Sequence, residues 1–484
     1  MRILYVITID PHGRRAATPV HCVHNKKQLL NYQSKYINMR FSGTTLFVIS
    51  ILTIVISCKK NDDVIPGPGL DKTGGTDSIH MGATLSYHPR ITNPAGATFS
   101  WKVNGNVVGN DSVYTFTASA RGDYHIVFTA NNAGAADSAI YQVKVWGKYE
   151  NGFFVVQEGQ YANTSGDLFY YSYDSNKIVY DVLKKENPGK NFGPTTATLQ
   201  YATIYNGKVY MSVKVGGPLV VADAYTMKET GRVDHLPQDE GHAFTGVDDT
   251  RGLLSAVDGV YRVHLAGPSL GTKIDGINSS AGDMMVAGDY IFILTEGDGI
   301  VIVKKSDYTI AKKYPKGTMG FARTKDGAVW AAGDSALVRI DPVSLAVTET
   351  PVPFKVTNPW ALWSWHSGCI TTSTAANDVY IAERKDGPGI GGTLEYSGTK
   401  IYKYTPGNAA SFTSPFITIP DGQYFYGSAV RFNERTKELL VLTLTDEWGS
   451  SNDNRWLCYD ATTGGLKQTV RYAGYYFPAL PVFY

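Results

Sequence analysis

Cysteine is scarce in this chain: four residues in 484, with no CxxC pair and no Cys/His spacing suited to zinc. That excludes a disulfide-stapled scaffold and a zinc finger or ribbon. Charge is scarce as well. Only 18% of residues are Asp, Glu, Lys or Arg, the formal net charge is +2, and no long run carries one sign, so nothing argues for nucleic acid or an acidic polymer as partner. No GxSxG elbow, HExxH helix or EF-hand loop occurs, and these are the short motifs that carry chemistry on their own. "GPGIGG", Gly387 to Gly392, has the letters of a dinucleotide fingerprint. It lies between antiparallel strands rather than between a parallel strand and a helix N-terminus, so no cofactor is expected. His242 and His366 fall near loops or inner strands and could act as acid–base groups, but single histidines are more often structural.

A long apolar run is also missing. The longest, Leu46 to Ile56, is too short to span a bilayer comfortably. With Met39 and Arg40 before it and Cys58 after it, the run has the layout of a secretory signal. "VISC" resembles a lipobox, the bacterial signal in which the cysteine, here Cys58, becomes the lipidated first residue of the mature protein. On that reading residues 1–38 lie upstream of the functional product, 39–58 are the signal and Met39 is the start; the alternative is an ordinary signal anchor. The following "KKNDD" resembles the surface-export signal of Bacteroidota lipoproteins. The resemblance implies attachment to the outer membrane through a lipid anchor, exposed at the surface.

What the chain has in quantity is glycine (50), tyrosine (32) and an aromatic content of 12%, a composition of turns and half-buried strands, and an all-β fold class. Residues 59–78, rich in Pro, Gly and Asp, read as an extended tether. Residues 79–148 switch to short alternating runs, with a hairpin turn at Asn104-Gly105, which predicts a β-sandwich with Trp101 in its core. "SWKVNGNVVG" and "ARGDYHIVFTANNAG" resemble PKD-type immunoglobulin-like domains. The expected role is a spacer.

From 150 to 484 a unit of about 40 residues repeats. "LQYATIYNGKVYMSV", "SAGDMMVAGDYIFILT" and "MGFARTKDGAVWAAG" each give a strand, a tight turn at Gly207, Gly288 or Gly327, and a second strand. Two further strands complete a propeller blade. Inner strands are expected near 199, 243, 281, 319, 360 and 427. The segment after the sandwich supplies three strands lacking an inner one, and "PALPVFY" is an inner strand lacking its blade. Joining them predicts a seventh blade that closes the ring and hides both sheet edges; six or eight blades are the alternatives, because the sixth unit is long.

The loops joining second to third strands share a face with the connections between blades. The long ones, "QEGQYANTSGD", "ERKDGPGIGGTLEYSGT" and "TDEWGSSNDNRW", fall in neighbouring blades, as do the aromatic connections "TNPWALWSW", "DGQYFYGS" and "AGYYFPAL". Clustered aromatics among polar loops point to a binding site. The candidate ligand contacts are Trp360, Tyr424, Phe425, Tyr475 and Tyr476, with Tyr161, Trp448 and Trp456 from the loops. Trp363, Trp365, Tyr426 and Phe477 read instead as packing between blades.

"GFFVVQEGQYANTSGDLFYYSYD", "YATIYNGKVYMSV", "PWALWSWHSGCITTST" and "YYFPALPVF" resemble YncE-like propellers of Bacteroidota surface lipoproteins, which include corrinoid-capturing members. That resemblance implies a non-enzymatic binder of a small molecule, corrinoid-like or glycan, that passes it to a TonB-dependent transporter. Where such proteins often carry Asn-Glu-Gly, this chain has Gln157-Glu158-Gly159. A lactonase- or lyase-type enzyme and a protein-docking scaffold remain as alternatives, the former requiring a histidine with acidic or metal neighbours in the channel.

Overall fold

The computed structural model describes residues 4–9, 15–20, 66–71, 73–132, 135–317, 319–333, 335–356, 360, 365–383, 398–445 and 453–484. Residues 1–64 form one unit, described only by an antiparallel pair, Leu4–Ile9 with Arg15–Val20. Cys58 and the apolar run before it lie outside the described residues, as does the loop holding "GPGIGG". No helix among the described residues is long and apolar enough to cross a membrane.

The second unit begins with the sandwich. Its larger sheet runs Gly74–His80, Ala135–Trp146, Gly122–Asn132, Thr98–Val103, Asn106–Gly109, and Thr84–Tyr87 pairs with Tyr114–Thr117 opposite. Trp101 is fully buried, its ring 4.6 Å from that of Phe128 and its indole N–H donating to the Asp111 carbonyl at 2.9 Å. One expectation is corrected: the tether does not run to 78. Gly74–His80 pairs in parallel with Ala135–Trp146, so a segment of tether-like composition is an edge strand. Its backbone bonds outweigh the low strand propensity of Gly and Asp.

Among the described residues, seven four-stranded sheets follow. Numbered from the one containing Gly152–Gln157, their inner strands are Pro478–Val482, Thr198–Tyr205, Gly241–Gly246, Ala281–Ala287, Met319–Arg323, Ile370–Thr372 and Tyr424–Asn433. Blade four shows why the sequence folds this way. Its middle strands, YIFILT and GIVIVK, are buried almost throughout between neighbouring blades, whereas the outermost, IAKKY, alternates and turns lysine to solvent, which blunts the sheet edge.

The ring closes as the strand pattern predicts. Pro478–Val482 pairs antiparallel with Gly152–Gln157 in the register Phe154↔Val482, Val155↔Pro481, Val156↔Leu480. The last residue is held too: the Tyr484 hydroxyl donates to the carbonyls of Tyr149 and Ala224. One inner strand is displaced from its expected place. Blade six begins its inner strand at Ile370, not near 360, and residues 365–368 just before it enter the channel.

The sandwich sits against the face opposite the long loops. Arg121 lies 3.8 Å over the Tyr225 ring and pairs with Glu150 at 2.5 Å, and His80 Nε2 meets Asp174 at 2.7 Å. Tyr225 and Asp174 are in the outer turns of blades two and one.

Candidate functional site

The inner strands of blades two, three, four, five and seven are broken near the loop-bearing face by β-bulges, between Leu199 and Tyr201, Gly241 and Phe244, Ala281 and Met284, Met319 and Phe321, and Phe425 and Val430. A bulge adds a residue to one strand and re-aims side chains that regular pleating would turn away. Gln200, His242 and Asp283 sit at these bulges, and all three turn into the channel network.

Residues 365–368, from the connection between blades five and six, plug that channel and reach every other blade. Trp365 stacks on His242 of blade three at 5.2 Å and lies 6.0 Å from the Tyr201 ring of blade two. Gly282 of blade four has no room for a side chain, since a Cβ would lie 2.3 Å from the Trp365 indole nitrogen. His366 Nε2 meets Glu158 of blade one at 2.6 Å, and its ring lies edge-on to Tyr426 of blade seven. Ser367 and Gly368 donate to Asp283 of blade four at 2.5 and 2.7 Å, and Arg431 of blade seven donates to the Gly368 carbonyl at 2.6 Å. Gly368 also packs on Gly320 of blade five so closely that a Cβ would fall 2.3 Å from its backbone.

Charge is concentrated here without being exposed. Glu158 accepts from His366, from Tyr426 and, at 3.1 Å, from Gln200, with Lys214 at 3.8 Å. Burial alone would raise its pKa; His366 and Lys214 outweigh that and hold the carboxyl below its usual range. Lys214 is itself lowered by burial, against the pull of Glu158. A second pair, His242 Nε2 and Glu240, is 3.5 Å apart, and His242 Nδ1 donates to the Ala281 carbonyl at 2.7 Å. Among the described residues no group of three or more His, Cys, Asp or Glu side chains could hold a metal ion.

Above the first blade, a pocket of about 170 Å³ is lined by Gln157, Thr164, Asp167, Lys184, Tyr475 and Tyr476. Tyr475 stacks on Tyr180 with ring centroids 5.0 Å apart and planes 6° from parallel, and Phe169 meets it edge-on at 4.6 Å. Asp167 accepts from the backbone N–H groups of Leu168, Leu183 and Lys184 at 2.7, 3.0 and 3.2 Å. Its burial nevertheless outweighs those donors and pushes the carboxyl up to about 7.

Of the candidate contacts, the pocket brings Tyr475 and Tyr476 together, and Tyr161 stands 63% exposed on the neighbouring loop. Trp360 is half-buried against the plug, its ring 6.5 Å from His242, and Tyr424 packs with Tyr426 and Phe477. Two candidates are corrected. Phe425 lies wholly buried between blades six and seven, and Trp456 is wholly buried with its indole N–H donating to the Tyr472 hydroxyl at 3.0 Å. Both belong to strands packed on both faces, where either alternation is interior. Trp448 and Trp363 lie outside the described residues. Tyr426 and Phe477 are buried against each other, whereas Trp365, read as packing between blades, is buried in the channel plug instead. Glu158, Gln200, Lys214, Asp283 and Arg431 were not singled out by sequence as site residues. Their signal is a charged or amide side chain inside or at the end of an apolar strand, as in "MSVK", "AGDMMV" and "SAVRF".

These features define a seven-bladed propeller whose channel is stoppered by its own chain and whose loop-bearing face carries an aromatic pocket. Residues 151–484 match the model of a domain of unknown function, DUF5074, and the chain belongs to that family. Residues 68–132 match a PKD-like domain. The fold resembles that of a quinoprotein alcohol dehydrogenase-like protein from Bacteroides thetaiotaomicron, with a TM-score of 0.52 and 19% identity over 86% of this chain and 99% of that one. Weaker likenesses include PorZ, a bacterial surface component of the type-IX secretion system of Porphyromonas gingivalis, with a TM-score of 0.37 and 11% identity over 72% of this chain and 44% of that one. Another is the extracellular domain of a two-component system of B. thetaiotaomicron, with a TM-score of 0.39 and 11% identity over 57% and 33%. No curated protein matches the sequence.

Proposed function

We propose that this protein is a non-enzymatic ligand-capture module of the bacterial surface, anchored to the outer membrane through Cys58, which takes up a small molecule on its loop-bearing face for transfer to a TonB-dependent transporter. The observation that carries this reading is the pocket at Tyr475 and Tyr476. Rigid stacked rings, with Tyr180 behind Tyr475, offer a flat apolar wall, while Lys184, Gln157 and Thr164 supply polar groups at its margin. That is the pairing a sugar ring asks for, one apolar face and a girdle of hydroxyls. A volume of about 170 Å³ suits a single ring and is far too small to enclose a corrin macrocycle, so we favour a glycan end over a corrinoid.

The channel supports binding over catalysis. Its histidines do have acidic neighbours, as a propeller lyase would need, but His242 and His366 are each only 2% exposed. Glu158 already accepts from three donors and is held ionised by its cationic neighbours, so taking a substrate proton would work against the groups that surround it. The docked sandwich, on the face away from the loops, would hold the pocket outward from an anchored membrane.

The test is a thermal-shift and intrinsic-fluorescence screen of the purified protein against neutral and charged oligosaccharides and corrinoids. Saturable binding of an oligosaccharide, competed by its own terminal sugar, is expected. Binding of corrinoids alone would replace the glycan reading, and no binding in either class would remove the capture reading.

A further inference from the structure

Below the plug, on the side away from the aromatic pocket, the channel widens into a chamber of about 220 Å³ lined by Tyr201, Asp283, Met284, Met285, Phe321 and Arg431 among others. Its two charged members are unusually placed. Arg431 Nη1 donates to the carbonyls of Gly368 and Val430 at 2.6 and 2.9 Å, with that of Ser428 at 3.5 Å, and Nη2 donates to the Ser367 hydroxyl at 2.6 Å. Five N–H bonds are present on a guanidinium. The Nε–H and one Nη2–H thus have no acceptor among the described residues; Nε and Nη2 are the two nitrogens of the guanidinium's side edge, the edge that grips a carboxylate in bidentate fashion. Asp283 accepts one bond on each oxygen, from Ser367 and Gly368, and each carboxylate oxygen can accept a second. Both groups reach the same Ser367 hydroxyl, so the spare donors and the spare acceptors lie side by side at the roof of one chamber.

That juxtaposition selects a ligand class. An anion alone would meet Asp283, and a cation alone would meet Arg431; a molecule carrying an ammonium and a carboxylate on the same carbon satisfies each. The rest of the wall is mixed: Tyr201 and Thr203 are polar, while Met284, Met285 and Phe321 give an apolar patch that is adaptable, since methionine reshapes readily around a side chain. The chamber is also smaller than the roughly 300 Å³ at which drug-sized pockets begin.

We propose that this chamber binds a free α-amino acid as its zwitterion, the carboxylate on the side edge of Arg431, the ammonium on Asp283 and the side chain against Met284, Met285 and Phe321. The site is separate from the aromatic pocket and does not depend on it.

Isothermal titration of the full chain with glycine, L-alanine, L-methionine and L-phenylalanine tests this, together with the des-amino and des-carboxyl analogues of methionine, 4-(methylthio)butyrate and 3-(methylthio)propylamine. Binding of L-methionine is expected, weakened at least tenfold in either analogue and in Arg431→Lys, which keeps the charge but loses the fork. Because Arg431 and Asp283 also hold the plug, a second variant, Met284→Trp, fills the chamber from its wall; it should abolish binding with the melting temperature kept, while Tyr475→Ala should bind methionine as the parent does. No binding of any of the four amino acids, equal binding of the analogues, or undiminished binding by Met284→Trp would each overturn the proposal. None of those results bears on the aromatic pocket.

Discussion

His366 Nε2 lies 2.6 Å from Glu158 Oε1, joining the plug to blade one across 208 residues of chain. Both side chains are buried, at 2% and 3% exposure. Removing the Glu158 carboxylate breaks this buried pair and leaves Lys214, 3.8 Å away, without its counter-charge, which typically costs about 3–5 kcal/mol. Glu158→Gln should therefore lower the unfolding free energy in urea by an amount of that order, and adding His366→Gln should restore part of it. Equal stability of Glu158→Gln and the parent would show that the pair does not hold the plug.

Trp365 is the apolar half of the same plug, packed on His242, Tyr201 and Gly282. Trp365→Ala should destabilise the propeller by roughly 3–5 kcal/mol, the usual range for emptying a buried tryptophan site. Hydrogen exchange should quicken first at the inner strands of blades two, three and four. Exchange that rises only at the surface would place the tryptophan outside the core.

Two buried carboxylates give opposite pH dependences. Asp167 is pushed up to about 7 by burial, so between the ordinary aspartate value and about 7 the folded state holds a proton that the unfolded state has lost. Its contribution makes stability fall as pH rises through that window, by about 1.4 kcal/mol per pH unit at most. Glu158, held below its usual range against burial by His366 and Lys214, contributes stability above the glutamate range that is lost as pH falls. Asp167→Asn should flatten the decline in melting temperature between pH 4 and about 7. The same slope in both proteins would mean that Asp167 is ionised throughout.

The seam carries its own test. Leu480 lies opposite Val156 and is 5% exposed, so Leu480→Asp buries an unpaired charge where the ring closes. Loss of cooperative unfolding is expected, with proteolysis beginning in blade one. A sharp transition at the parent's melting temperature would contradict closure at this strand.

Much of the architecture was legible because blade repetition writes the same pattern many times. Gly207, Gly288 and Gly327 adopt φ of 70, 59 and 83°, the left-handed region that makes a glycine at a tight turn informative. The orphan strand "PALPVFY" had only one place to go. The plug was not legible, because Trp360 and Trp365 look like strand residues and nothing local says that a connection dives into a channel. The buried network was hidden for a related reason: Glu158, Lys214, Asp283, His366 and Arg431 come from different blades and meet only once the ring has closed. Phe425 and Trp456 were misread because a strand covered on both faces buries both of its alternations, so an aromatic near a loop need not face solvent.

The most direct measurement is calorimetric titration of the tightest oligosaccharide from the screen into the parent protein and into the double variant Tyr475→Ala, Tyr476→Ala. Capture on the loop-bearing face requires binding by the parent and a loss of at least tenfold in the variant, with the melting temperature nearly unchanged because both rings are only half-buried. Equal affinity in the two proteins would place the ligand elsewhere and contradict the assignment.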